Sequence, residues 1–378
     1  MVIRQIPQGS TMYADRHAVC RIISNIGVMI MINSIKTAVT GFGFSGKVFQ
    51  VPFLHASPKF EIMALLRRSA DDTKQSYPEI KIARSFAEIL NNQDIELVIV
   101  NTPNQLHYSM TKEALEAGKH VIVEKPFATT VAETIELIKL AENKNLHLFV
   151  FHNRRWDGDF MTVKKVIESG VLGNLVEYEA RYDRFKPLLN PKPWKEAPEK
   201  GSGILYDLGT HIIDQAVCLF GEPKTITADI RKQRKNSQID DYYNIMLDYD
   251  GLRVTVKSTL LAKEESPRYV VYGQKGSFIK YGVDPQEEDM IAGVQYPSVN
   301  WGMESEKNWG ILNSSINGVN FRGKIETLAG NYMMFFDNVY EVIREGKPII
   351  ISPEQAQITT KIIETAFESF QAKKTQRF

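Results

Sequence analysis

Cysteine is almost missing from this chain. Of 378 residues only Cys20 and Cys218 carry a thiol, far apart and without metal-ligand spacing. That argues against a disulfide framework or zinc site, predicts no bound metal and fits a reducing compartment. Net charge is also nearly absent: 46 Lys and Arg stand against 45 Asp and Glu, spread without a block of either sign. No nucleic-acid face or polybasic membrane anchor is therefore expected. Long apolar runs are missing too. The longest, Ile22 to Ile32, is interrupted by Ser24, Asn25 and Gly27. A bilayer span needs about 20 apolar residues. No small-residue cleavage site follows, so the run does not read as a signal peptide either. A cytoplasmic protein is expected, and neither repeat nor low-complexity tract suggests otherwise.

What is present is an ordinary globular composition, 43% apolar and 24% charged. The chain is longer than one hydrophobic core usually serves, which predicts two domains. Residues 1–33 show no clear periodicity and read as an N-terminal extension, dispensable for folding. Residues 34–153 alternate strand and helix, predicting an α/β unit built on a doubly wound parallel sheet. Its strands are expected at Ile35–Thr40, Glu61–Leu66, Ile95–Val100, His120–Val123 and Leu146–Phe151. Ser85 and Thr130 each precede a glutamate by three residues, the spacing of a capping box. Gly118 is placed to end a helix. Residues 154–378 change style and read as an α+β domain for substrate binding and oligomerisation. Apolar and polar residues alternate in Leu175–Tyr182, and Asp250-Gly251 joins Tyr242–Tyr249 to Leu252–Leu261 as a hairpin. This predicts a largely antiparallel sheet with one open face, a surface suited to a homodimer or homotetramer. The stretch Asp284–Ala329 shows little period, and two helices near Tyr332–Glu345 and Pro353–Ala372 end the chain.

The chemistry begins at Gly41-Phe42-Gly43-Phe44-Ser45-Gly46, a G-x-G-x-x-G between the first strand and a helix. Such a loop turns tightly, admits a pyrophosphate against backbone and aims helix-end N–H groups at it. About 20 residues on, sites specific for NAD carry an acid that holds the ribose 2′-hydroxyl. Here that place holds Arg67, Arg68 and Ser69. Guanidinium groups pair with a 2′-phosphate, so NADP is the expected cofactor, with NAD possible.

Thr102, Pro103, Asn104 and His107 follow one parallel strand, and Glu124-Lys125-Pro126 follows the next. Both segments lie at the sheet edge where open α/β folds bind ligands. A lysine there can donate to a carbonyl oxygen in a hydride-transfer transition state. After the glycine-rich turn at Gly201-Ser202-Gly203, Asp207, His211, Asp214 and Gln215 form one polar stripe on an otherwise apolar helix. Asp207 stacked one turn from His211 suits a proton relay, although a structural histidine fits the pattern equally. Asn153, Arg155 and Asp157, at the domain junction, and Tyr206 are the expected substrate contacts.

Taken together and in this order, the glycine loop, Thr102-Pro103-Asn104 with His107, Glu124-Lys125-Pro126, and Asp207 with His211 resemble the glucose–fructose oxidoreductase / inositol dehydrogenase (Gfo/Idh/MocA) family. The likeness runs from about Ile35 to the last helix. Phe151-His152-Asn153-Arg154-Arg155-Trp156-Asp157 and the stretch from Gly273 through Asp284-Pro285-Gln286-Glu287 look like a narrower branch containing NADP-dependent scyllo-inositol dehydrogenases. The resemblance implies a catalytic group of Lys125, Asp207 and His211 and a sugar or cyclitol substrate oxidised at a ring CH–OH. Two departures stand out: residues 1–33 have no counterpart, and the frequent acidic residue after the second strand is Arg67. A catalytically silent cofactor-binding regulator and a dehydrogenase of another, possibly phosphorylated, sugar are the competing readings.

Overall fold

A computed structural model describes residues 32–67 and 76–378. Arg68, Ser69 and most of the N-terminal extension, with Cys20, lie outside the described residues. The first sheet has six parallel strands: β1 (Ile35–Val39), β2 (Phe60–Leu66), β3 (Lys81–Ala83), β4 (Leu97–Val100), β5 (His120–Glu124) and β6 (Leu148–Phe151). Their order is β3-β2-β1-β4-β5-β6, a doubly wound arrangement whose strand order reverses between β1 and β4. β4 and β6 are buried at every position, which is why both read as unbroken apolar runs. Thr130 and Glu133 complete a reciprocal capping box at the head of helix Val131–Asn143. Ser85 caps helix Phe86–Leu90 by accepting from the Glu88 amide.

The second sheet is mixed. It contains β7 (Leu175–Arg181), β8 (Thr225–Arg231), β9 (Tyr242–Tyr249), β10 (Leu252–Thr259), β11 (Tyr269–Gly273), β12 (Gly276–Lys280), β13 (Gly310–Ile316), β14 (Val319–Ile325) and β15 (Gln376–Arg377). All its pairings are antiparallel except β7 with β10. Gly251 turns the β9–β10 hairpin at φ +74°. One face of this sheet packs Tyr178, Val254, Val256, Ile245 and Val271 under helices Gly158–Glu168, Thr210–Phe220 and Pro353–Ala372. The other face presents Glu177, Glu179, Asn244, Thr255 and Lys257, so it is more polar than apolar. No helix among the described residues is long and apolar enough to cross a membrane.

One element returns to the first half of the chain. Helix Met333–Glu345 packs on the first sheet, not the second, in a core with β1, β2 and β6. Phe336 lies 6.0 Å from Phe53 in a stacked pair, with Phe151 and Phe60 at 5.7 and 6.1 Å between centroids. At the helix end Arg344 donates to the carbonyls of Asn33 and Ser34 and pairs with Glu96 at 2.8 Å. The two halves are therefore fastened from both ends of the sequence.

Phe336→Ala should cost about 3–5 kcal/mol, the range for deleting a fully buried phenyl ring. The shift of the urea midpoint measures it. A loss below about 1 kcal/mol would mean this helix does not hold the first sheet.

Candidate active site

The carboxyl ends of β1, β4 and β5 open onto one cleft of about 1540 Å³, walled on its far side by residues 184–211. The glycine loop forms its floor, and its three glycines do different work. A Cβ on Gly41 would stand 2.9 Å from the Asn101 carbonyl, and one on Gly46 only 2.2 Å from the Gly41 carbonyl. A Cβ on Gly43 would meet no heavy atom within 4 Å. Gly41 and Gly46 thus let the loop fold on itself, while Gly43 leaves open space over the backbone. Asn101 locks the turn, its side-chain amide donating to the Gly41 carbonyl at 2.7 Å. Thr102 Oγ1 lines the same cleft, buried and without a hydrogen-bond partner. An open cradle beside an unanswered hydroxyl fits the phosphates and ribose of a dinucleotide.

At the adenosine end Arg67 lies over the Phe42 ring at 5.9 Å and donates to the Phe42 carbonyl. Arg84 reaches the Arg67 carbonyl at 3.0 Å, so a second guanidinium borders this end. Glu124 lies deep in the cleft, accepting from Ser45 Oγ and, at 2.9 Å, from Gln50. His107 is fully buried, with ring nitrogens 2.7 Å from the Pro126 carbonyl and 3.0 Å from the Thr102 carbonyl. Burial lowers its pKa, and a neutral ring donates to only one of these carbonyls. His107 therefore ties the two ligand-bearing loops together.

On the far wall, Gly203 at φ +98° makes room for Asp240, whose carboxylate would lie 1.9 Å from a Cβ there. Asp240 accepts from the amide of Leu205 at 2.8 Å and, through its carbonyl, from that of Ile204 at 3.0 Å. Its burial raises the carboxyl pKa to about 6. A wide π-type turn, Leu205–Gly209, then carries Asp207 before helix Thr210–Phe220 begins. Lys125 crosses the cleft to it: Nζ lies 2.8 Å from the Asp207 carbonyl and 2.9 Å from its carboxylate. Burial works against ionisation of Asp207, but Lys125, aided by Arg184 and Lys195, draws its pKa down to about 2. The carboxylate is 67% exposed to the cleft, so these cations, not enclosure, decide its charge. His211 lines the same wall. Burial, then Lys125 and Arg154, hold its pKa well below 6.5, leaving the ring neutral at physiological pH. Its Nδ1 is buried and without a hydrogen-bond partner.

Comparison with known proteins agrees with this geometry. Residues 35–152 match the model of an oxidoreductase family's NAD-binding Rossmann fold, and residues 164–377 its C-terminal alpha/beta domain. The chain belongs to the Gfo/Idh/MocA oxidoreductase family. It is 37% identical over 345 residues to scyllo-inositol 2-dehydrogenase (NADP(+)) of Bacillus subtilis, covering 91% of this chain and 96% of that one. An uncharacterized oxidoreductase of Schizosaccharomyces pombe is 40% identical over 356 residues, 89% and 97% of the two chains. The crystal structure of an oxidoreductase from Bacillus cereus superposes with a TM-score of 0.86 at 34% identity, covering 91% of this chain and 99% of that one.

Within this Gfo/Idh/MocA cleft several expected contacts need correction. Asp207 and His211 share no hydrogen bond among the described residues, because the wide turn breaks the one-turn stacking that a continuous α-helix would give. Asp207 serves Lys125 instead. Arg155, Asp157 and Tyr206 do not line the cleft. Arg155 is buried against Asp214 with both bonds at 2.8 Å and also reaches Gln355. Asp157 accepts from Tyr332 at 2.8 Å and from Arg154, while Tyr206 stacks on Phe367 and donates to the Thr129 carbonyl. Asn153 does line the cleft, as do Gly41, Phe42, Gly43, Phe44, Arg67, Thr102, Pro103 and Asn104. The substrate end gains Arg154, paired with Glu287, together with Arg184 and Lys186. Arg154 lies in a turn of consecutive polar residues, the other two just beyond β7.

Arg155→Met should cost about 3–5 kcal/mol of stability, because it strands the buried Asp214 carboxylate. The folded fraction should keep its substrate KM within about twofold. A raised KM with an unchanged denaturation midpoint would return Arg155 to the substrate site.

Proposed function

We propose that this oxidoreductase uses NADP(H) and acts on a CH–OH or C=O ring carbon of a cyclitol or sugar, with scyllo-inositol and its inosose as the leading pair. The observation that carries the reading is the meeting of Lys125, its partner Asp207 and a neutral His211 beside an open glycine cradle. A nicotinamide cofactor seated there would supply or accept the hydride. Lys125 is placed to donate to the substrate oxygen and to steady its negative charge as the carbonyl forms or disappears. Neutral His211 is placed to take the hydroxyl proton in oxidation and return it in reduction. Asp207 holds Lys125 across the cleft and stays ionised while His211 stays neutral. A silent regulator would have no use for this arrangement.

Arg67, with Arg84 behind it, supports NADP, since a 2′-phosphate would meet guanidinium groups at that end of the cleft. The similarity to an NADP(+)-dependent scyllo-inositol dehydrogenase supports both the cofactor and the substrate. Self-association into a homodimer or homotetramer through the outer face of the second sheet is supported by Met246 and Tyr272, which are exposed there among polar neighbours.

Lys125→Ala should lower kcat about a hundredfold or more with little change in cofactor affinity. Because the proton-accepting form of His211 is the neutral one and its pKa is depressed, kcat/KM for oxidation should stay level as pH falls through 6.5. It should decline only well below that. A loss centred near pH 6.5 that vanishes in His211→Ala would show an unperturbed imidazole and sink this account.

Arg67→Asp should move the NADP/NAD preference about ten- to a hundredfold toward NAD, the worth of one charge-assisted pair. Initial rates with both cofactors measure the ratio. A ratio that does not move removes Arg67 from phosphate recognition.

A further inference from the structure

The substrate end of the cleft carries more positive charge than hydride transfer requires. Beyond β7 the chain stays extended, with the amides of Arg184 and Lys186 donating to the carbonyls of Thr259 and Leu260 at 2.9 and 2.7 Å. Alternation along an extended segment turns Tyr182, Arg184 and Lys186 to one side and Phe185 to the other. Arg184 and Lys186 line the cleft. The Arg184 guanidinium lies 5.3 Å from the centroid of the Tyr182 ring, which fixes its plane.

Charge balance separates these two cations from their neighbours. Lys125 is answered by Asp207 and Arg154 by Glu287. Among the described residues neither Arg184 nor Lys186 forms an ion pair with a carboxylate. Burial and then the adjacent Arg184 charge lower the Lys186 pKa, outweighing the opposing influence of Asp207 and Glu287. The wall beside them is fixed from behind. Buried Arg234 pairs with Asp241 and Glu196 at 3.0 Å and donates to the Leu188 carbonyl at 3.1 Å.

We propose that Arg184 and Lys186 form an anion subsite, and that the substrates of this enzyme include hydroxyl-rich rings bearing a carboxylate or a phosphate ester. The subsite faces the same cleft as Lys125 and His211. Its use by a substrate rests on the hydride-transfer reading above, but its affinity for an anion does not. A planar guanidinium beside an ammonium suits either oxyanion, and each charge-assisted contact is worth about tenfold or more in affinity.

The test has two parts, both run on the NADP+-loaded full chain so that phosphate sites on the glycine loop are already filled. Calorimetry with inorganic phosphate should detect binding to the wild type, at least tenfold weaker in Arg184→Gln/Lys186→Gln and largely retained in Arg184→Lys. Turnover is then compared across glucose, glucuronate, glucose 6-phosphate, scyllo-inositol and an inositol monophosphate. At least one anionic ring should exceed its neutral counterpart in kcat/KM, and that ratio should fall about tenfold or more in the double glutamine variant. The uronate and the phosphate esters distinguish a carboxylate site from a phosphate site. Turnover of scyllo-inositol with anionic rings inert and no phosphate binding overturns the subsite and leaves the hydride-transfer reading standing. Phosphate binding that depends on Arg184, with every ring inert, upholds the subsite and fails that reading instead. Equal losses toward neutral and anionic rings in the variant would overturn the assignment.

Discussion

An ammonium group held by two oxygens of a single residue joins the two halves of this molecule at the point where chemistry is expected. Lys125 Nζ meets the backbone carbonyl of Asp207 as well as its carboxylate. A carboxylate alone can swing on its own rotamers, whereas a carbonyl moves only with its backbone. The ammonium position is thus tied to the path of the wide turn Leu205–Gly209. That turn is fixed in its own right by Asp240, which occupies the space a side chain at position 203 would need. A glycine with positive φ and a buried carboxylate set the distance across the cleft.

The same reasoning extends along the helix that follows. His211 lies between Asp207 and Asp214, and Asp214 is anchored to Arg155 by two bonds. One residue on, Gln215 donates to the Arg154 carbonyl and accepts from Tyr269. These buried ionic and polar contacts are poor sources of net stability, since desolvation offsets most of the attraction. Their effect is on placement. Each has defined partners, so helix Thr210–Phe220 cannot rotate or slide against the turn Asn153–Trp156 without stranding a charge. An apolar seam would tolerate such a slip far better.

This also explains which parts of the site were legible in the sequence. Five strands of the first sheet were legible because its central strands are buried on both faces and read as continuous apolar runs, whereas the three-residue edge strand β3 was not. The glycine loop was legible because backbone sterics leave few alternatives to glycine at Gly41 and Gly46. Arg155 and Asp157 misled because a charged residue at a domain junction looks the same in sequence whether it faces a ligand or an internal partner. The partners that decided the matter, Asp214 and Tyr332, lie 59 and 175 residues away. Asp207 and His211 are not hydrogen-bonded to each other for a local reason, one extra residue in a turn, which periodicity does not register. Asp284–Ala329 was hard to read because its edge strand β14 is largely exposed and its short alternation of Val319, Phe321 and Ile325 with polar residues is broken at Gly323. Helix Met333–Glu345 was legible as a helix, but nothing in its pattern says which sheet it covers.

One charge acts on two protonation states in the cleft, adding to burial at His211 and opposing it at Asp207. The Lys125 ammonium is the leading Coulombic influence on both Asp207 and His211, and it lowers the pKa of each. For an acid that means remaining ionised, and for a base it means remaining neutral. The same neighbour favours the deprotonated form of both groups, anionic in Asp207 and neutral in His211, so both hold over the same range of pH. A lysine placed only to touch a substrate oxygen would not need this. Placed where it is, Lys125 keeps its own anchor charged and keeps a neutral imidazole ready for a proton. Neutralising it would therefore disturb the group that positions it and the group beside it, along with the contact it makes itself.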